Sequence, residues 1–204
     1  MRTKWGDRAA RRGDIVRAGR SLLREDGLAA LQMRDVARRA GVGLGTVYTY
    51  FPTKEALFAA LYAHRLDQML SDLAPKLSAT THLEELFVLV ATSYRDVYAE
   101  FGKDLDILSV IGERSQVDHA TRDQLAASST RVLDDARAIL DRAGVADTEL
   151  TLALLWSTVT GLADHFTSTR HELLRNTWDE TVHFAARTIV RGLATTLTTG
   201  GSHG

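Results

Sequence analysis

Residues 32–57 read QMRDVARRAGVGLGTVYTYFPTKEAL, and this stretch decides the fold of the 204-residue chain. Apolar residues three and four positions apart predict a short helix with one buried face: Met33, Val36, Ala37 and Ala40. Gly41 follows it, and glycine readily adopts the left-handed conformation that ends many helices. A second short helix is predicted from Leu44 to Phe51, and Pro52 ends it because proline has no backbone N–H. Two short helices joined by a tight turn are typical of a helix-turn-helix.

The second helix of such a unit enters the major groove of DNA, and its residue types here suit that contact. Gly45 has no side chain, so the backbone can approach a duplex closely. Hydroxyl groups that can donate hydrogen bonds surround it: Thr46, Tyr48, Thr49 and Tyr50. Thr53 is placed to cap a third helix, and Lys54 adds positive charge at that helix's N-terminus, which attracts phosphate. The alternative is an ordinary helical hairpin within a hydrophobic core.

The run GVGLGTVYTYFPTKEAL resembles the DNA-binding signature of the TetR family of one-component regulators. The resemblance covers about residues 10–60, through an R-D-V-A-x-x-A-G-V helix and turn, a G-T-x-Y-x-Y-F recognition helix and the following x-K-E-x-L. Two positions differ from the family's common pattern. Gln32 stands where a capping threonine is frequent, and Gly43-Leu44 where serine and a basic or polar residue are frequent. Leu44 can therefore offer only apolar contact, for instance to a thymine methyl group.

The resemblance implies a transcriptional regulator, most simply a repressor, since a dimer seated on a promoter blocks polymerase. Carried over position by position, it implies DNA contacts from Arg34, Leu44, Gly45, Thr46, Tyr48, Thr49, Tyr50 and Lys54. A TetR-like activator and a helical ligand-binding protein that no longer binds DNA are the alternatives.

Charge is distributed unevenly along the chain. Residues 1–70 contain 13 Lys and Arg against 7 Asp and Glu, a net of +6, whereas residues 71–204 contain 12 against 19, a net of −7. The overall charge of −1 hides this asymmetry. A basic region around the helix-turn-helix is what a phosphate-facing surface requires, although a solvated basic face would look the same.

The chain contains no cysteine, which excludes disulfides and thiolate metal ligands. Its N-terminus lacks the apolar segment of a signal peptide, and no apolar run has the length of a membrane span. We therefore expect a cytoplasmic protein without a membrane partner.

The helical periodicity predicts an all-α protein of about nine helices in two domains. Residues 1–53 form a helix-turn-helix domain with a basic N-terminal arm and a first helix over 7–26. Residues 54–199 form a larger effector-binding and dimerisation domain, and 200–204 a flexible tail. Helix 54–73, which Pro75 is expected to interrupt, connects the domains. Five further helices are predicted at 81–101, 104–115, 119–143, 147–171 and 176–199.

The last two long helices have apolar residues on more than one face, as the segment LTLALLWSTVTGLADHF shows. Spare apolar surface on two late helices predicts a homodimer through a four-helix bundle, and the resemblance implies the same. Such a dimer would bind a palindromic operator. Eight aromatic or polar residues could line a cavity for a small-molecule effector of unknown identity, although aromatic residues at helical spacing usually belong to the core: Phe87, Tyr94, Tyr98, Phe101, His119, Trp156, His165 and Phe166.

Enzyme motifs are absent from the sequence. The GVGLG segment follows no predicted strand and lacks both the dinucleotide-binding spacing and the Gly-Lys-Ser/Thr of a phosphate-binding loop. His165 and His171 are six residues apart with no third ligand in helical register, which disfavours a metal site. We therefore expect a protein that is not an enzyme and needs no cofactor or metal; an α-helical enzyme is the rival class.

Overall fold

The computed structural model describes residues 4–27, 31–79, 82–101 and 117–199. These ranges contain eight α-helices and no strand, which confirms the all-α class. The helices are α1 Lys4–Asp26, α2 Met33–Ala40, α3 Leu44–Tyr50, α4 Lys54–Ala79, α5 Leu83–Phe101, α6 His119–Arg142, α7 Thr148–Thr167 and α8 Trp178–Thr199, with a 3-10 turn at Thr169–Leu173. The helix predicted at 104–115 and the tail at 200–204 lie outside the described residues.

Two helices extend further than the sequence pattern predicts. The first begins at Lys4 rather than at Asp7, so part of the predicted arm is helical; lengthening an existing helix is far easier than starting one. Helix α4 continues through Pro75 to Ala79 instead of stopping before the proline. Pro75 lacks only its own bond to the carbonyl of Ser71, and both residues are exposed, which leaves that carbonyl open to solvent.

The segment between the last two helices also differs from the prediction. The helix predicted over 147–171 ends at Thr167, where the hydroxyls of Thr167 and Ser168 bond to the carbonyls of Ala163 and His165 at 2.7 and 3.2 Å. Hydroxyls bonded to the last turn compete with continuation of the helix. The final helix begins at Trp178 rather than at residue 176.

A capping box sets the start of α8. The carboxylate of Glu180 accepts bonds from the backbone N–H and the hydroxyl of Thr177, both at 2.8 Å, and the Thr177 hydroxyl accepts from the Glu180 N–H at 3.3 Å. These bonds satisfy N–H groups that have no partner within the helix. Asp147 caps α7 in a simpler way, by accepting from the Leu150 N–H at 3.0 Å.

The chain divides into two compact units. The first comprises residues 1–66 and 103–128, and the second 67–102 and 129–204. Within the first unit α1 packs on α2, and α2 on α3. Its core contains fully buried apolar side chains from every one of its first four helices and the segment before α2: Ile15, Leu31, Val36, Val47, Phe51, Leu57 and Leu61. A domain boundary at residue 54 remains a prediction.

The second unit is built on α5, which packs against α7 and α8. One cluster of buried residues joins these three helices: Phe87, Ala91, Tyr94, Val159, Ala163, Trp178, Val182 and Ala186. The ring N–H of Trp178 also donates to the hydroxyl of Thr92 at 3.3 Å, and the Arg95 guanidinium lies 4.6 Å from the centre of its ring. These contacts tie the start of α8 to α5.

Candidate nucleic-acid interface

The turn between α2 and α3 has the predicted geometry. Gly41 adopts a left-handed conformation with φ 66° and ψ 32°. The N–H of Val42 donates to the carbonyl of Ala37 at 3.0 Å, which closes the end of α2. Gly43 is extended, and its carbonyl accepts from the N–H of Thr46 at 2.9 Å in the first turn of α3. The chain therefore reverses between two helices within three residues, Gly41 to Gly43.

Helix α3 has a buried face and an exposed face. Val47 and Phe51 are fully buried and hold the helix on the core of the first unit. Gly45, Tyr48 and Thr49 are exposed, and 47% of Tyr48 is accessible to solvent although the residue is large and aromatic. The other predicted contact residues of the helix are half-buried: Leu44, Thr46 and Tyr50. If α2 and α3 were only a helical hairpin within a hydrophobic core, an exposed tyrosine and an exposed glycine on α3 would serve no packing purpose.

Hydrogen bonding refines the role of Thr49. Its hydroxyl donates to the carbonyl of Gly45 at 2.9 Å. The hydroxyl proton is therefore engaged within α3, and the oxygen is left to accept a bond. The sequence suggested a donor at this position, so the structure changes the expected polarity of the contact.

Positive side chains of α1 lie near the C-terminal end of α3. The guanidinium of Arg8 in α1 lies 6.0 Å from the centre of the Tyr50 ring, and that of Arg12 lies 5.0 Å from the Phe51 ring. Arg34 in α2 is exposed. The proximity of Arg8 and Arg12 to the end of α3 could not be predicted from the sequence, because it depends on how α1 packs and not on local spacing.

The start of α4 is capped as predicted. The Thr53 hydroxyl accepts from the N–H of Ala56 at 3.1 Å, and the Thr53 carbonyl accepts from Leu57 at 3.2 Å. The N–H groups of Lys54 and Glu55 precede the first intrahelical bond, and Lys54 itself is half-buried. A helix N-terminus with a lysine at its first position suits an anion such as phosphate. No side-chain bond from Gln32 caps α2, in keeping with the departure noted at that position.

Most of the predicted effector residues lie together in the second unit. The ring centres of Tyr94 and Trp156 are 5.5 Å apart, and those of Tyr94 and Tyr98 are 6.2 Å apart. The rings of His165 and Phe166 are 4.9 Å apart. Phe87 and Phe101 are buried on α5. His119 is exposed at the start of α6 and belongs to the first unit.

A polar group adjoins these aromatic rings. The Tyr98 hydroxyl donates to Asp164 at 3.1 Å, and Arg170 pairs with the other oxygen of that carboxylate at 2.8 Å. Burial, followed by the bond to Asp164, raises the pKa of Tyr98 to about 12. The buried Nε2 atom of His165 bonds to none of the residues that the structure describes. Asp164 and Arg170 were not predicted, since neither carries a motif signal.

Metal ligands and membrane spans were also considered. Within the four described ranges, no three His, Asp or Glu side chains cluster in a way that could hold a metal ion. None of the helices in those ranges is both long and apolar enough to cross a bilayer.

Known proteins resemble part of the first unit in sequence and nearly the whole chain in fold. The sequence model of the TetR family of bacterial regulatory proteins matches residues 15–61. The chain is 41% identical over 59 residues to the HTH-type transcriptional repressor KstR of Rhodococcus jostii strain RHA1, which covers 29% of this chain and 28% of that protein. It is 26% identical over 85 residues to the fatty acid metabolism regulator protein of Bacillus subtilis strain 168, or 42% and 44% of the two chains. The aligned parts thus span less than half of either relative.

A solved structure extends the likeness to the fold of nearly the whole chain. The transcriptional regulator FadR from Bacillus subtilis, in complex with stearoyl-CoA, has a TM-score of 0.52 and 19% identity, covering 89% of this chain and 96% of that one. The match over 15–61 coincides with the residues that build the helix-turn-helix and its supporting helices. Residues 15–61 thus match the TetR family of bacterial regulatory proteins, and most of the chain shares the fold of FadR.

Proposed function

We propose that this protein is a sequence-specific DNA-binding regulator that represses transcription and leaves a palindromic operator when a small-molecule effector binds. The observation that carries the proposal is the exposed face of α3. Its buried residues Val47 and Phe51 fix the helix, and its other side presents Gly45, Tyr48 and Thr49 to solvent. A helix that is fixed by its buried face and carries small and polar groups on its exposed face can enter a major groove.

The surroundings of α3 support a division between specificity and affinity. Lys54 at the start of α4 would bind phosphate, and phosphate contacts position a protein without distinguishing sequences. Thr46 and Leu44, in the first turn of α3, would face base edges. Lys54→Ala should therefore weaken binding to all duplexes alike, by about 1 kcal/mol, whereas Thr46→Val should alter the preferred sequence. A changed preference with Lys54→Ala at intact affinity would contradict this assignment.

An exposed apolar face on α7 and α8 supports a homodimer. Leu150 and Leu154 are 70% and 51% exposed, and Ser157 and Gly161 continue the same stripe of α7. On α8, Phe184 is 64% exposed. Large apolar side chains in a stripe beside small residues are suited to a close helix-helix interface. A second copy that covers this face would also supply the second half-site contact that a palindrome requires.

Sedimentation of charge-substituted variants tests the dimer. Leu150→Glu combined with Leu154→Glu should convert the dimer to a monomer, because two carboxylates would be buried at the interface. Leu173→Glu is the matched control: Leu173 is 82% exposed but lies in the 3-10 turn between α7 and α8. A dimer that survives the α7 double substitution would place the interface elsewhere.

The aromatic group in the second unit supports an effector site. Tyr94, Trp156 and Phe166 offer apolar ring surface, and the buried His165 Nε2 offers a hydrogen-bonding atom beside them. An apolar molecule with one polar group would match this combination. The FadR structure contains stearoyl-CoA, whose acyl chain and thioester carbonyl have this combination, so long-chain acyl-CoA thioesters are the first compounds to test.

Selection from a random duplex pool tests the proposed function as a whole. The purified protein should enrich a palindrome whose half-sites are about 34 Å, or a multiple of this, apart. Recovery of no enriched sequence would contradict sequence-specific binding and favour a helical ligand-binding protein. Deletion of the gene should raise transcripts from promoters that carry the palindrome; uniformly lowered transcripts would indicate an activator.

A further inference from the structure

Arg12 lies where three segments of the first unit meet. It belongs to α1, its guanidinium lies 5.0 Å from the centre of the Phe51 ring, and one of its N–H groups donates to the Thr121 hydroxyl at 2.7 Å. Phe51 is the residue that directly follows the recognition helix α3, and its backbone N–H closes the last turn. Thr121 is in the first turn of α6, 109 positions along the chain from Arg12. The side chain therefore joins the end of the recognition helix to the start of α6.

The Thr121 hydroxyl is oriented for this bond by the cap of α6. It donates to one oxygen of Asp118 at 2.6 Å, and the other oxygen accepts from the Thr121 backbone N–H at 3.0 Å. Because its proton is engaged with Asp118, the hydroxyl oxygen can only accept from Arg12. Thr121 is fully buried, so no solvent molecule could replace Arg12 as the donor to its hydroxyl oxygen. The cap and the arginine are thus coupled.

The other end of the link is equally constrained. Phe51 is fully buried, and its N–H donates to the carbonyl of Val47 at 2.9 Å. A guanidinium over an aromatic face is attracted by the ring's electron density and also covers the ring from water. A shift of Arg12 would therefore disturb the residue that anchors the end of α3.

We propose that Arg12 is a positioning residue for DNA binding: it holds the end of the recognition helix through Phe51 and is itself held by the Asp118–Thr121 cap of α6. The proposal rests on the proposed function, because it concerns the placement of the helix that would bind DNA.

A double-mutant cycle on operator affinity tests the link. The variants are Arg12→Met, Thr121→Val and the two combined, and the affinity for the selected duplex is measured by fluorescence anisotropy over a range of KCl concentrations. We expect each single variant to lose about tenfold in affinity, and the double variant to lose clearly less than the sum of the two free-energy losses, because the two changes remove one shared bond. The slope of log affinity against log salt should not change, because Arg12 would not contact phosphate.

Controls separate positioning from other roles. Arg24→Met removes an exposed arginine from the last turn of α1, and its effect should add to that of Thr121→Val. Thr121→Ser keeps the hydroxyl and should bind as the wild type does. If Arg12→Met does not fold, Thr121→Val compared with Thr121→Ser carries the test, since only Thr121→Val removes the acceptor of the Arg12 bond.

Three results would overturn the inference while leaving the proposed function intact. The first is additive losses of affinity in the cycle. The second is a salt slope lowered by about 1 in Arg12→Met, which would make Arg12 a phosphate contact. The third is a lower unfolding temperature with unchanged affinity, which would make the role of Arg12 structural only. A wild-type protein that binds no duplex would instead overturn the proposed function, and the inference with it.

Discussion

Gly45 should separate the demands of folding from those of DNA binding. It lies inside α3, it is exposed, and a Cβ atom added to it would meet no atom within 4 Å. Packing therefore gives no reason for a glycine, which makes a helix interior less stable than alanine does by about 0.5–1 kcal/mol. We expect Gly45→Ala to stabilise the protein by about this amount. We also expect it to weaken operator binding, because the methyl group would lie where the backbone approaches the duplex.

Urea denaturation and anisotropy measure the two effects on the same sample. With a denaturant slope of about 2 kcal/mol per molar, the midpoint should rise by about 0.3–0.5 M. Gly13→Ala in α1 is the matched control, since the added Cβ would lie 3.6 Å from the Arg17 guanidinium, which is ordinary contact. It should raise the midpoint similarly and leave operator affinity unchanged. Unchanged affinity in Gly45→Ala would refute close backbone approach, and a lowered midpoint would refute the conformational argument.

Substitutions at three further positions test the local structure. Gly41→Ala should lower the unfolding free energy in urea by about 1–2 kcal/mol, because φ is 66° at this position. The added Cβ would meet no atom within 4 Å, so the destabilisation comes from the backbone conformation alone, and Gly41→Asn should destabilise less. The backbone and hydroxyl bonds from Thr177 hold the pKa of Glu180 below its usual 4.5. The wild type should therefore be more stable than Glu180→Gln above pH 4.5, and this difference in unfolding free energy should shrink as the pH falls through the lowered pKa. A difference that does not change with pH would contradict the capping box. The pKa of Tyr98 is raised from 10 to about 12, so the phenol ionises first in the unfolded protein and the unfolding free energy should fall as the pH rises above 10. In denaturation curves measured between pH 9 and about 11.5, Tyr98→Phe should show a smaller fall than the wild type.

The helix-turn-helix could be predicted from the sequence because its determinants are local. The conformation of Gly41, the cap at Thr53 and the buried spacing of Val47 and Phe51 each depend on residues within a few positions of one another. Local signals were less reliable where breakers and chain ends were concerned. Pro75 is a strong breaker by rule, yet it is tolerated near the exposed end of α4.

Contacts between distant segments could not be predicted in the same way. Nothing in the spacing of α1 indicates that Arg12 would bond to Thr121, because the contact depends on the packing of helices far apart in sequence. The bond from Tyr98 to Asp164 has the same origin. The rings of Tyr94 and Trp156 do lie 5.5 Å apart, and Phe166 packs against the buried cluster that contains Tyr94, but an effector site among these residues stays a prediction.

The central claim, sequence-specific binding through α3, is tested most directly by comparing two duplexes. The purified protein is titrated with the selected palindrome and with a permuted duplex of the same composition, at a KCl concentration of about 0.15 M. Specific recognition predicts that the palindrome binds at least about 1,000-fold more tightly. Equal affinities for the two duplexes would show that binding is electrostatic alone and would contradict the account.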